Sequence, residues 1–318
     1  MSTAGYFYRI PALRIALSQE QISGDQNIRL FRANRLRPRP LPRWPDCAIA
    51  DANRKARNMK IATFNINGIK ARAEALPAWL DDAQPDVVLL QEIKSVDENF
   101  PRELFEDRGY NVETHGQKSF NGVAILSKHP LEDVQRGLPG DDSDEQARWI
   151  EATVMGEREA LRICGLYLPN GNPAPGPKYD YKLAWMARLH ARAKTLLAAE
   201  IPFLMAGDYN IIPQAEDAAK PDIWREDALF RPQSRAAWRD LLNLGLTEAF
   251  RARTQGPGHY SFWDYQAGAW NRNNGIRIDH FLLSPACADM LRSCQIDRDI
   301  RGRDKPSDHV PVWVELDF

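Results

Sequence analysis

The chain has 318 residues, 43% of them hydrophobic and 27% charged, which is enough for one large core or two smaller ones. No run approaches the ~18 consecutive apolar residues of a membrane span, so a transmembrane helix is excluded. The net charge of −1 argues against nucleic-acid binding by bulk charge, but it conceals an asymmetry: residues 1–58 carry +7 and residues 59–318 carry −8.

Residues 1–58 show no sustained periodicity and end in the run RLRPRPLPRWP (Arg35–Pro45). Such a segment cannot bury enough apolar surface to offset its ordering entropy, so a mostly disordered basic extension is expected. Translation starting at Met59 is one explanation for it; a cleaved Arg-rich transit peptide and a DNA-gripping basic arm are the others.

From Met59 the pattern changes to strands with helices interspersed, and 59–318 reads as one domain. The first strand is expected over Lys60–Asn65, followed by a turn at Gly68 and an amphipathic helix over about Lys70–Asp82. Asp86–Leu90 is a short apolar run of the kind buried on both faces. Further strands are expected over Val123–Ser127, Arg148–Val154 and Leu161–Leu168. A long helix follows over Tyr179–Ala199, its inward positions being Leu183, Met186, Leu189 and Ala193. Ile201–Ala206 is the next strand, and loops and short helices are expected between Pro213 and Tyr260. The last strands are Ile276–Leu283, Cys294–Ile300 and Val310–Leu316. Helices do not follow every strand, so the pattern favours an α+β arrangement of two packed sheets with helices outside. The four cysteines form no CxxC pair, which suits free thiols in a reducing compartment and a cytoplasmic location.

Polar residues recur where these strands end. Asn65 ends the first and Glu92 follows the second; Asp208 and Asn210 follow FLMAG. Asp279 lies in RIDHFLL, and Asp308 and His309 precede the last strand. One charged residue beside a buried strand is usually a turn or cap; several at equivalent ends suggest a converging site. Oxygen donors with one histidine and no cysteine suit Mg²⁺ or Mn²⁺ and suit zinc poorly. Such a site supports in-line attack of water on a phosphodiester.

The segments FNING (Phe64–Gly68), LLQEIK (Leu89–Lys94), YLPNG (Tyr167–Gly171), GDYN (Gly207–Asn210), GIRIDHFLLS (Gly275–Ser284) and KPSDHVPVW (Lys305–Trp313) resemble, in order, the motifs of exonuclease III. That enzyme and the abasic endonucleases belong to the endonuclease/exonuclease/phosphatase superfamily. The resemblance spans 60–318 and implies a four-layer α/β/β/α sandwich with its active site at one end of two mixed sheets. It implies a Mg²⁺-dependent hydrolase, with Mn²⁺ able to substitute, that cuts duplex DNA at abasic sites and trims 3′ ends in base excision repair as a monomer. The alternative within the superfamily is an inositol-phosphate or sphingolipid phosphatase, or an RNase. By the same resemblance Glu92 is the principal metal ligand, with Asn65 and Asp308 near the ion. Asp208 activates the water with help from Asn210, and His309, oriented by Asp279, contacts the phosphate. Tyr167 stabilises the leaving group or donates to the phosphate, and Asn170 contacts phosphate. Lys94 either orients Glu92 or is simply solvated. Phe262, Ile276 and Ile278, with Trp263 or Trp270 nearby, would line a small pocket for the base-free sugar. Lys70, Arg72, Lys118, Arg272 and Lys305 are candidate DNA contacts.

Overall fold

The computed structural model describes residues 58–156 and 160–318. The reading of residues 1–58 as a basic extension lies outside the described residues, except that Asn58 already opens the first strand. Two six-stranded mixed sheets form the centre of the described chain. The first is built from β1 (Asn58–Asn65), β2 (Val87–Gln91), β3 (Asn111–His115), β4 (Val123–Ser127), β11 (Leu291–Ile296) and β12 (Val312–Asp317), in the order β11-β12-β1-β2-β4-β3. The second contains β5 (Leu131–Arg136), β6 (Trp149–Met155), β7 (Ala160–Tyr167), β8 (Phe203–Asp208), β9 (Thr247–Glu248) and β10 (Asp279–Leu283), in the order β5-β6-β7-β8-β10-β9.

Each sheet has one parallel pair near its middle, β1 with β2 and β7 with β8. A parallel pair needs a crossover, which is supplied by helix α1 (Ala75–Ala83) in the first sheet and α3 (Pro177–Ala198) in the second. The central strands are buried on both faces because each sheet lies between its partner and a helical layer. Ile61, Leu89, Ile125, Ile150, Ile163, Leu204 and Phe281 fill the space between the sheets. Helices α1 and α2 (Glu103–Glu106) cover the outer face of the first sheet with Leu76, Trp79, Leu80 and Phe105. Trp185, Met186, Leu189 and Ala193 of α3, with Trp238 and Leu241 of α4 (Pro232–Asn243), cover the second. The result is the expected four-layer α/β/β/α sandwich. No described helix is long and apolar enough to cross a membrane.

Several elements differ from the sequence expectation. The helix expected over Lys70–Asp82 is a 3₁₀ turn, Lys70–Arg72, followed by α1. Pro77 requires this, since its ring would clash with the carbonyl four residues back in a continuous helix; it is tolerated only in a first turn. The expected strand over Cys294–Ile300 lies earlier, as β11, and the chain from Arg298 to Gly302 is 3₁₀. Of the expected strand Ile276–Leu283, only Asp279–Leu283 joins the ladder; Ile276 instead forms isolated bridges to Phe262 and Ala218. On α3, Leu183 is only half-buried and Lys182 takes its place on the inner stripe.

Gly207 has a packing reason to precede Asp208. A Cβ there would collide with the backbone carbonyl of Leu166 on the neighbouring strand β7. Backbone cannot yield as a flexible side chain can, so Gly207→Ala is expected to destabilise the fold by about 1–3 kcal/mol. A chemical-denaturation midpoint equal to that of the unaltered protein would show that the strands accommodate the methyl group.

Candidate active site

The site lies where the two parallel pairs end. β1 and β2 deliver Asn65 and Glu92 at their carboxyl ends, and β7 and β8 deliver Tyr167 and Asp208. Tyr167 is paired with Asp208 across β7 and β8, and Asp279 with Asp208 across β8 and β10. The segment before β12 carries Asp308 and His309 to the same end, where His309 bridges Phe262.

Asp208 is 1% exposed and its oxygens are nearly saturated. Oδ1 accepts from the Asn210 backbone N–H at 2.8 Å, and Oδ2 accepts from the side chains of Asn65 at 3.0 Å and Asn210 at 3.3 Å. The Asn65 amide donates from the same nitrogen to Glu92 Oε1 at 2.9 Å, so one side chain joins the two carboxylates. His309 Nδ1 lies 2.9 Å from Asp279 Oδ2, and its Nε2 lies 3.7 Å from Asp208 Oδ2. Ser261 Oγ donates to the same Asp279 oxygen at 2.6 Å, while Asp279 Oδ1 is buried without a hydrogen-bond partner among the described residues.

The electrostatics follow from this packing. Burial opposes a charged imidazole, but Asp279 and Asp208 on its two sides raise the His309 pKa to about 10. Burial raises the Asp208 pKa, His309 pulls it back, and Asp279 raises it again, leaving it above the ordinary carboxylate range. Glu92 behaves oppositely: burial would raise it, but hydrogen bonds from Lys94 and Asn65 hold it low. Burial, with Glu92 and Asp208 adding to it, pushes the Tyr167 phenol far up, so it stays a donor. Arg148 stacks on that ring, 4.7 Å from its centroid.

The remaining predicted residues divide into those at the site and those set apart from it. Asn170 donates to Asn210 Oδ1 at 3.1 Å. Asp308 reaches Glu92 indirectly: Asn67 donates to Asp308 at 3.0 Å and accepts from Lys94 at 2.5 Å, and Lys94 pairs with Glu92 at 2.8 Å. Lys94 is therefore a tether of Glu92 rather than a free solvated charge. Phe262 packs against the His309 ring at 4.9 Å, and Ile276 and Ile278 cluster beside it with Ile212, Leu229 and Phe230. Trp263 and Trp270 are elsewhere: Trp263 is fully buried, edge-on to Trp270 at 5.0 Å, in a separate cluster with Tyr260 and Val310. Trp263 cannot line an open pocket, because it is fully buried in that core. Arg72 is also largely committed, 9% exposed and donating to the Tyr265 hydroxyl at 2.7 Å, whereas Lys70, Lys118, Arg272 and Lys305 are exposed.

Sequence reasoning missed Asn67, Ser261 and Ser307. Asn67 stood inside the FNING motif and was open to notice. Ser307, which donates to the Asn65 carbonyl at 2.8 Å, stood inside KPSDH. Ser261 gave no signal beyond its neighbours. As for an ion, Glu92, Asp308 and the Asn65 and Asp208 side chains form an oxygen-rich set suited to a hard cation. Ligating atoms of Asp208, Asp279 and His309 also lie within 4.8 Å of one another. Glu92 stands beside that group, joined to Asp208 through the Asn65 amide, and would add a further carboxylate for an ion.

A family model for the endonuclease/exonuclease/phosphatase family matches residues 62–309, and the chain belongs to that family. Within it, the chain is 38% identical over 266 residues to exodeoxyribonuclease III of Haemophilus influenzae, covering 81% of this chain and 100% of that protein. A solved 3′-5′ exonuclease from Neisseria meningitidis is 36% identical with a TM-score of 0.78, and an AP endonuclease from Archaeoglobus fulgidus is 33% identical with a TM-score of 0.76. Both comparisons cover 82% of this chain and all of the other.

The His309 assignment has a direct check. In the ion-free protein the ring is expected to keep both protons at pH 8 and to titrate near 10, as followed by ¹H–¹⁵N NMR. Because the folded pKa exceeds the unfolded value near 6.5, this contact stabilises the fold fully below that pH. The contribution fades as pH rises toward 10. A ring losing its proton near 6.5 would remove the ion pair from the account.

Proposed function

We propose that the chain is a Mg²⁺-dependent DNA phosphodiester hydrolase, an abasic-site endonuclease and 3′→5′ exonuclease of base excision repair that acts as a monomer. The observation that carries this reading is the single Asn65 amide joining Glu92 to Asp208, with the Asp279–His309 pair closing the other side. A phosphate seated there would have a cation, a base and a phenol donor around it.

Asp208 is the group that orients the attacking water and takes its proton. Its raised pKa suits that work near neutral pH, and Asn210 fixes both of its oxygens. His309, held protonated by Asp279, donates to a non-bridging oxygen of the scissile phosphate and offsets charge that builds there. Tyr167 supplies a phenol hydrogen bond beside the same group. Mg²⁺, with Mn²⁺ able to substitute, would be held by Glu92 with Asn65 and Asp308 alongside, and when bound it supplies positive charge to the phosphate oxygens. The relatives named for exodeoxyribonuclease III and AP endonuclease activity support DNA as the substrate. The apolar cluster of Phe262, Ile276 and Ile278 beside His309 supports a preference for a sugar without its base.

The test is cleavage of duplex oligonucleotides carrying one abasic analogue, beside undamaged duplexes and inositol-phosphate controls. Cleavage at the abasic site and from 3′ ends is expected, abolished by EDTA and restored by Mg²⁺ or Mn²⁺. Undiminished cutting in chelator would refute the metal requirement, and preference for the inositol phosphate would refute the substrate. Asp208→Asn is expected to lower kcat by about two to four orders of magnitude with DNA affinity near normal. Retention of most of the turnover would take the base role away from Asp208.

A further inference from the structure

One buried cation has no part in the chemistry above. Lys182 sits early in α3 and is fully buried, although an ammonium buried without partners is strongly disfavoured. Its Nζ donates to the Asn210 carbonyl at 2.6 Å and to the Asn170 carbonyl at 3.1 Å. These residues belong to two loops, one leaving β7 and one leaving β8. Their side chains also meet, Asn170 donating to Asn210.

The surroundings are built around this lysine. Gly171 adopts φ +89°, and a Cβ there would lie 2.7 Å from Lys182 Cδ and 3.1 Å from Ala228 Cβ, so the lysine stem fills the space. Asn172 ties the same loop to Asp227 at 3.0 Å. Burial lowers the Lys182 pKa to about 7, with Asp208 and Asp227 opposing that fall. Asn210 itself is held at φ +47°, a left-handed conformation that a non-glycine residue keeps only when its surroundings impose it. Its backbone N–H and side chain are the donors that fix Asp208.

We propose that Lys182 is a positioning residue: by donating to the carbonyls of Asn170 and Asn210 it locks their loops together and so aims Asp208. The inference rests on the reading of Asp208 as the water-activating group. A lysine is suited to the position because one ammonium can donate in several directions at once, which no apolar residue on the α3 stripe could do.

The test compares Lys182→Met and Lys182→Gln with the unaltered enzyme in full-chain form, by kcat and KM on the abasic duplex. Each variant is assayed at a temperature where its circular dichroism matches the wild type. Misaiming a reacting group by an ångström is worth about 100-fold, so the methionine variant is expected to lose 10- to 100-fold in kcat with KM within threefold. The glutamine variant, one bond shorter yet still a donor, is expected to fall between. Asn210→Ala combined with Lys182→Met is expected to be no more than twofold slower than Asn210→Ala alone. A folded methionine variant with wild-type kcat overturns the proposal, as do multiplicative losses in the double variant. Should the methionine variant not fold, a glutamine variant with wild-type kcat overturns it equally. A wild-type enzyme inert on DNA would bring down the reading of Asp208 as well, a result distinct from an active wild type with an equally active variant.

Discussion

Asp208 and Asp279 stand directly opposite each other on neighbouring antiparallel strands, and each is 1% exposed. Two ionised carboxylates so placed, with water excluded, repel strongly unless a cation or a proton intervenes. His309 supplies it, with one ring nitrogen on Asp279 and the other facing Asp208. The histidine arrives from the segment before β12, in the other sheet, so the ion pair also fastens the two sheets together at this end. The remaining oxygens are then met by Ser261, Asn65 and the Asn210 backbone. Asp279 Oδ1 is left over, a buried acceptor that the described residues do not satisfy.

The same end of the molecule concentrates backbone strain. Asn67, Glu92, Lys94 and Asn210 all have positive φ, between 47° and 51°, a region that L residues avoid at about 1–2 kcal/mol each. None of the four is free to relax. Glu92 and Lys94 are gripped by each other and by Asn65 and Asn67, while Asn210 is gripped by Asp208, Leu168 and Lys182. Strain of this kind survives only where surrounding hydrogen bonds over-determine it.

Which parts of this were legible in the sequence depended on whether the signal was local. Central strands such as Val87–Gln91 and Phe203–Asp208 announced themselves because both of their faces are buried and their residues are apolar up to the polar one that ends each. The edge strands β3 and β5 did not: each carries few apolar residues, NVETH in β3 and LEDVQR in β5, so neither stands out as an apolar run. Asn65, Glu92, Asp208 and His309 were visible as polar residues at apolar strand ends. Their partners were harder, because a bridging residue such as Asn67 or Ser261 is ordinary by type and acquires its part only through contacts between distant segments. Lys182 shows the converse. Its spacing from Trp185, Met186 and Leu189 places it on the inner stripe, but a reading of apolar positions alone takes Leu183 and passes over a lysine. The aromatic run Tyr260–Trp270 is divided in the structure: Phe262 is at the site, while Trp263 and Trp270 pack in a separate cluster with Tyr260 and Val310.

A domain carrying −8 over residues 59–318 would repel a polyanion approaching it at random, so any affinity for DNA has to be local. The arrangement at the sheet ends makes it local in two tiers. Lys70, Lys118, Arg272 and Lys305 are exposed, Lys305 beside Glu74 at 3.9 Å, and would be the groups to meet backbone phosphates. Deeper in, the buried His309 lies in water-poor surroundings, where its charge is screened far less, while Lys94 is half-buried on Glu92. Glu92 and Asp308 would by themselves push a phosphate away, and a divalent ion held by them would reverse the local sign. On this view the acidic composition and a DNA substrate do not conflict. The site itself holds four carboxylates against His309 and Lys94, so a bound cation would be needed before a phosphate met net positive charge there.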